Sequence, residues 1–444
     1  MKTQIAIAAM ILFSFGMANA QTELALKDAV DYALKHKVDA VKAGLDIQNA
    51  DHKIAEVRAN ALPQLNGQSG LTYNAKLQQM ALDFGGQTQV IRMGTPWQAN
   101  SAIQLDQQIF NMAVFQGLKA AKSTKEFYIL NAALTEEQIV EKVANSYYEV
   151  FKTKSQIKTM DRTIQNTTRV RNVIASLEEN GLAKKIDLDR INVTLNNLNS
   201  SKVQLNNALK LQENALKYLI GMDIATPITL PESTFESPKN MYVKDEFNIN
   251  SRTEIQLLER QGDLLRLNKK ATEAARYPSL ALSANYGYLS LGDRFPYFAG
   301  PEKGVNGSDF SAISLTLKVP IFSGFATRSR IRQAQVDIDK FEADLADTKL
   351  ALDLAVENAY TQINNSVITL NSQQSNMELA QQVLDNVENN YKNGLASLTD
   401  LLDAENSFAD AQNNHTAALM DYKLAEVQLK KANGELKTFY SNKQ

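Results

Sequence analysis

The feature that most constrains this chain is that it is written twice. The stretch Asp39–Pro63 returns as Glu254–Pro278 at an offset of 215, and Ile109-Phe110 returns as Ile321-Phe322 at 212. Asn145-Ser146-Tyr147 matches Asn358-Ala359-Tyr360, Asn180-Gly181-Leu182-Ala183 matches Asn393-Gly394-Leu395-Ala396, and Asp187-Leu188 matches Asp400-Leu401, all at 213. Landmarks in one order, with an offset that barely drifts, mark a tandem duplication. The 444 residues therefore read as one architecture repeated. The first repeat covers 21–220 and the second 250–436. A segment 221–249, with Pro227, Pro231 and Pro238, links them, and a tail 437–444 follows.

Each half has the same order: a helix, two strands with a long loop between them, a very long helix, a tight turn and a return helix. The first helices are expected at about 24–61 and 250–276. The strands are expected at 64–76, 98–110, 279–291 and 310–322, the long helices at 112–179 and 325–392, and the turns at 180–185 and 393–397. The strands alternate. Gln64, Asn66, Gln68, Thr72, Asn74 and Lys76 oppose Leu65, Leu71 and Tyr73, and Ile103, Leu105 and Ile109 oppose Gln104, Asp106 and Gln108. Leu280, Leu282, Ala284, Tyr286 and Tyr288 share a face, as do Ile313, Leu315, Leu317, Val319 and Ile321. Period two sends alternate residues to opposite faces of a sheet, and runs of this length can cross a bilayer as tilted strands. Four strands cannot close a barrel, so several chains would have to contribute.

The helices carry a different period. Val356, Ile363, Leu370, Met377, Leu384 and Tyr391 recur every seven residues, as do Val143, Val150, Ile157 and Ile164. The return helix places Ile191, Leu195, Leu198, Leu205, Leu209, Leu216 and Leu219 at steps of three, four and seven. These are coiled-coil seams. A helix of roughly 68 residues is about 100 Å long at 1.5 Å per residue, more than a globular domain needs.

Lys2, the apolar run from Ile5 to Phe15 and Ala18-Asn19-Ala20 read as a signal peptide over 1–20. The chain has no cysteine, hence no disulfide framework, no thiol-ligated metal and no lipidation site after the signal. A net charge of −2 offers no basic face for nucleic acid. No apolar run after the signal is long enough for a transmembrane helix, so a membrane-spanning form would be a β-barrel. No nucleophile elbow, P-loop or dinucleotide glycine motif occurs, and His36, His52 and His415 lack metal-ligand spacing and read as solvated surface positions. We therefore expect no enzyme, no cofactor and no resident metal.

The duplicated strand–strand–long-helix order and the two turn motifs, Asn180-Gly181-Leu182-Ala183…Asp187 and Tyr391-Lys392-Asn393-Gly394…Asp400-Leu401-Leu402-Asp403-Ala404, resemble the TolC family of outer-membrane efflux proteins. The likeness spans about 24–436. It implies a mixed α+β fold with four transmembrane strands per chain in a homotrimeric twelve-stranded barrel, and long helices forming a periplasmic α-barrel. It also implies an outer-membrane location in lipid, a periplasmic adaptor partner and an inner-membrane pump. The family's tips dock the adaptor, a role that falls here on Gly181, Leu182, Ala183, Gly394, Leu395, Ala396 and Ser397. The family's periplasmic gate falls on Asp187, Tyr391, Asp400 and Asp403. Family members carry an Arg two residues after the second turn glycine, where this chain has Ala396. Its gate would then rest on Tyr391 and the aspartates.

Asp400 and Asp403 are three apart and share a helix face. In a three-fold ring they would crowd carboxylates, raise their pKa and draw multivalent cations, an inhibitory cation ring. The alternative, less favoured because the motif matches residue for residue, is that both are helix-start acids facing solvent outside the tunnel. Three function classes stay open: a conducting duct, which the signals favour, an exported structural coiled coil without transport, and an exported enzyme on a helical scaffold, for which no catalytic cluster is visible.

Overall fold

The computed structural model describes residues 22–231, 235, 240–244, 248–296 and 301–436. The signal peptide, most of 232–239 in the linker and the C-terminal tail lie outside the described residues. The chain divides into two compact units. A helical unit takes Met1–Leu45, Leu130–Leu257 and Leu345–Gln444, and a strand unit takes Asp46–Ile129 and Leu258–Asp344.

In chain order the elements are β1 (Thr22–Glu23), α1 (Leu26–His36), α2 (Val38–Ala59), β2 (Gln64–Tyr73), β3 (Gln78–Phe84), β4 (Gln87–Met93), β5 (Trp97–Phe110), α3 (Met112–Glu179) and α4 (Lys185–Ile220). Then follow β6 (Ile228–Thr229), α5 (Thr253–Ala274), β7 (Ser279–Gly292), β8 (Val305–Lys318), α6 (Ala326–Lys392) and α7 (Leu398–Ala432). The first helix expected over 24–61 is two helices, because Lys37 adopts extended backbone (ψ 130°) and breaks the ladder. The loop expected between the first two strands contains a hairpin, β3 on β4. The strand expected over 310–322 runs over Val305–Lys318 instead. Pro320 has no N–H to donate, which ends the ladder before it.

In the strand unit β2, β5, β7 and β8 form one antiparallel sheet in that order. Leu65 pairs Leu105, Ile103 pairs Tyr286, and Leu282 pairs Leu315, which gathers one apolar face. The other face joins Asn66 to Gln104 and Asp106 to Ser283. Ile109 was expected on the apolar face. Gln107 still opposes Leu282 in regular register, but a β-bulge between Gln108 and Phe110 shifts the pairing, so Phe110 and not Ile109 opposes Leu280. The apolar face is in the open: Ile313 is 80% exposed, and Leu315, Leu317, Leu65 and Tyr286 are exposed with it. Aromatic rings mark both ends of the sheet. Tyr73, Trp97 and Phe295 meet at 4.7 and 5.5 Å at one end. Phe110 stands 6.3 Å from Phe115, and Phe322 5.4 Å from Phe325, at the other.

In the helical unit the expected seam of α6 is a true core. Val356, Ile363 and Leu370 are buried against Ala418, Tyr422, Ala425 and Leu429 of α7. Each such burial stabilises by about 1.5–3 kcal/mol. Val143 and Val150 of α3 are buried with Tyr147, Leu216, Ile220 and Met420. Further along α3 the seam moves off Ile157 and Ile164, which are only half-buried, onto the buried Thr159, Thr163 and Thr167. A seven-residue period drifts around a helix of 3.6 residues per turn. Threonine tolerates the site because its hydroxyl donates back one turn, Thr167 to the Thr163 carbonyl at 2.8 Å. Among the described residues no helix is long and apolar enough to cross a membrane.

Candidate functional site: the helical tips

The two turns between long and return helices have one geometry. Gly181 and Gly394 have φ of 75° and 74°, a left-handed backbone that closes a helix C-terminus and suits glycine. The Leu182 amide donates to the Leu177 carbonyl at 2.7 Å, and the Leu395 amide to the Asn390 carbonyl at 2.8 Å. Asn180 and Asn393 each cap the preceding turn with a side-chain amide on the carbonyl four residues back, at 2.7 and 2.8 Å. The next side chain has nowhere to pack, so Leu182 and Leu395 are 76% and 78% exposed. Ala183 instead packs beside Ile174 and Ile191.

The helices that leave the turns start differently. Ser397 caps α7 with a capping box: its hydroxyl accepts from the Asp400 amide at 3.2 Å, and the Asp400 carboxylate accepts from the Ser397 amide at 2.9 Å. The Ser397 hydroxyl also lies 2.7 Å from that carboxylate. These hydrogen bonds hold the Asp400 carboxyl below its ordinary value. Within one chain the cap's donors favour the charged form. Lys184 stands where the repeat places Ser397, and it gives α4 no side-chain cap. Asp187, the repeat partner of Asp400, instead bears on Tyr391. The Tyr391 hydroxyl is pushed up by burial first and by the Asp187 charge second. The Tyr391 ring packs with Ile174, Ile191, Leu398 and Leu402, and with Leu384, Leu401 and Ala404, so it joins the two tip clusters.

Asp400 and Asp403 do share a face. Both line a groove of about 410 Å³ with Leu379, Val383, Val387 and Ser407. Ala396 brings no charge to the tip. A cation that bridges the two return helices is Arg190 of α4, whose guanidinium donates to the Thr399 hydroxyl at 3.2 Å. Sequence reasoning missed it, although the repeat offset of 213 puts Arg190 opposite Asp403. It also missed Glu405, which is 8% exposed and accepts from the Thr167 hydroxyl at 3.3 Å. Burial, then the nearby Glu388, push the Glu405 carboxyl up, against the pull of Thr167 and Arg169. His415 is a correction of another kind. It is half-buried, not solvated, its Nε2 is enclosed without a partner, and burial lowers its pKa.

Comparison with known proteins agrees with this geometry. The family described as outer membrane efflux protein matches residues 29–222 and 249–435. The chain is 22% identical over 411 residues to Outer membrane protein TolC of Escherichia coli (strain K12), covering 89% of this chain and 79% of that protein. It is 22% identical over 421 residues to Protein CyaE of Bordetella pertussis, covering 93% and 85%. Among solved structures, the outer membrane protein VceC from Vibrio cholerae superposes with a TM-score of 0.71 at 18% identity, covering 92% of this chain and 96% of that one. The CmeC outer membrane channel of Campylobacter jejuni superposes with a TM-score of 0.73 at 14% identity, covering 93% and 86%. The two halves of the duplication are the two segments the family model matches, and the chain belongs to the outer membrane efflux protein family, whose members are outer-membrane channels of efflux and secretion systems.

Proposed function

We propose that three copies of this chain close one barrel and form the outer-membrane duct of a tripartite efflux or secretion system. The observation that carries this reading is the sheet. Its two edge strands, β2 and β8, have no partner on their outer side among the described residues and are exposed along their length, apart from Val305. An open edge with an exposed apolar face has no stable state in lipid until other strands complete it. Three sheets of four strands supply twelve, enough for a closed barrel with a water-filled interior lined by the Asn66, Gln104 and Asp106 face.

In this reading the exposed Leu182 and Leu395, with Gly181, Ala183, Gly394, Ala396 and Ser397, are the docking points for a periplasmic adaptor, which couples the duct to an inner-membrane pump. Asp187, Tyr391, Asp400 and Asp403 form the periplasmic gate. We assign the chain no catalysis: its work is conduction. Named relatives include the toluene efflux pump outer membrane protein TtgC of Pseudomonas putida, which supports small apolar cargo among the candidates. The mass of the detergent-purified protein tests the assembly. A trimer is expected, and a monomer that conducts ions would overturn it.

A further inference from the structure

Where the sheet meets the long helices, charge is distributed against the ordinary preference of helices. A helix N-terminus favours acids and disfavours cations. Neither α3 nor α6 has an acid in its first turn. From Gln107 to Lys125 the only charges are Lys119, Lys122 and Lys125, and from Val319 to Val336 they are Arg328, Arg330 and Arg332. Lys125 is held by Asp51 at 2.6 Å. The other five, and Arg58 at the end of α2, make no ion pair or side-chain hydrogen bond among the described residues.

The depth of these cations is informative. At 1.5 Å per residue, Arg332 lies about 9 Å and Lys119 about 10 Å along its helix. The first acids, Asp337 and Glu126, come only at about 16 and 21 Å. A headgroup layer is about 5–8 Å thick on each side of the hydrocarbon. Long basic side chains extend their charged heads toward it. The aromatic pairs Phe110–Phe115 and Phe322–Phe325 mark the adjoining edge of the apolar sheet.

Beside this collar is a cleft of about 290 Å³. Its wall is divided: Arg58, Gln107 and Asn111 give polar groups, and Val57, Ile109 and Phe115 an apolar side. Gln107 follows Ile103 and Leu105 onto the apolar face by regular alternation, and its amide donates to the Ala61 carbonyl at 2.9 Å, so a polar group stands in the cleft beside the apolar wall. A cation next to apolar wall, at the rim of a lipid-facing sheet, matches a phosphate with an acyl chain attached to it.

We propose that this cleft and the surrounding cationic collar bind an anionic glycerophospholipid of the periplasmic leaflet, its phosphate on Arg58 and its acyl chain along Ile109 and Phe115. The inference rests on the outer-membrane reading above. Headgroup phosphates then supply the counter-charge that α3 and α6 lack at their N-termini.

The test is native mass spectrometry of the full chain released from nanodiscs of phosphatidylglycerol or of phosphatidylcholine. Phosphatidylglycerol should be retained at least about fivefold better. The variant Arg58→Gln and the double variant Arg328→Gln/Arg332→Gln should each lower that retention, by about fivefold per charge removed. Arg58→Lys, which keeps the charge, should stay near the parent. Equal retention of the two lipids, or no loss in either variant, overturns the proposal. Displacement by millimolar inorganic phosphate would make this a soluble-anion site and overturns it too. A fall in oligomer mass in Arg58→Gln would make the cleft a contact between copies, which likewise overturns it. A chain that conducts ions yet shows no lipid preference overturns this inference alone, whereas a chain that enters no bilayer overturns the channel reading itself.

Discussion

Arg190 and Thr399 stand 209 positions apart in the sequence and 3.2 Å apart in the fold, guanidinium to hydroxyl, at the starts of the two return helices. The contact joins the two tip hairpins. Its cation comes from the first hairpin, while Ala396 on the second brings none. Arg190→Ala should therefore raise the resting open probability of the channel about two- to tenfold, the range expected for one exposed hydrogen bond. Thr399→Val should do the same, and the double variant should add little, because both remove one interaction. Additive effects in single-channel recordings would show that the two residues act separately.

The capping box of α7 makes a pH prediction. Asp400 has a lowered pKa, so its charge is present above that lowered value and is lost only when pH falls through it. If Asp400 and Asp403 form a cation ring, block by trivalent cations should persist on acidification through the ordinary Asp value near about 4. Ser397→Ala removes the donor hydroxyl and should move the loss of block to higher pH. The variant Asp400→Ala/Asp403→Ala should abolish block and lower cation preference. Unchanged block in that double variant would assign both aspartates to the outer surface.

Glu405 works in the opposite direction. Its pKa is raised in the folded chain, so the folded state holds a proton that the unfolded chain releases. Its contribution favours folding at low pH and weakens as pH rises from the ordinary Glu value toward the raised one. Glu405→Gln mimics the protonated form and still accepts from Thr167. The parent should lose heat stability as pH rises through the range between the ordinary and the raised value, by more than the variant does. A parent and variant with equal pH profiles in thermal unfolding would contradict this.

The tip leucines give a transport prediction. Leu182→Asp and Leu395→Asp replace exposed apolar side chains that contribute almost nothing to folding. Trimer yield should be unchanged, while efflux in cells and cross-linking to the adaptor should fall by about tenfold or more, as expected when an interface anchor is lost. Normal efflux from both variants would remove the docking assignment.

Much of this was legible in the sequence because duplication prints each signal twice. Alternation found the four sheet strands, and the heptads found Val356, Ile363 and Leu370 at the α6 core. What was not legible depended on local backbone events or on distant pairings. The Ile109 bulge changes side-chain faces without altering composition. The Thr159–Thr167 seam looks polar until the back-bonded hydroxyls are seen. Lys37 breaks a helix with no glycine or proline to announce it. At the tips, the motif pointed to Tyr391 and the aspartates, but only the fold separates Asp400, tied to Ser397, from Asp187, whose charge acts on Tyr391.

The central claim is that this chain is a conducting duct, and single-channel current across a planar bilayer tests it most directly. The purified parent should give discrete, long-lived openings of low conductance, and Tyr391→Phe should raise that conductance if its hydroxyl latches the tip. Stable insertion with no current in the parent, in Tyr391→Phe and in Arg190→Ala would contradict the account.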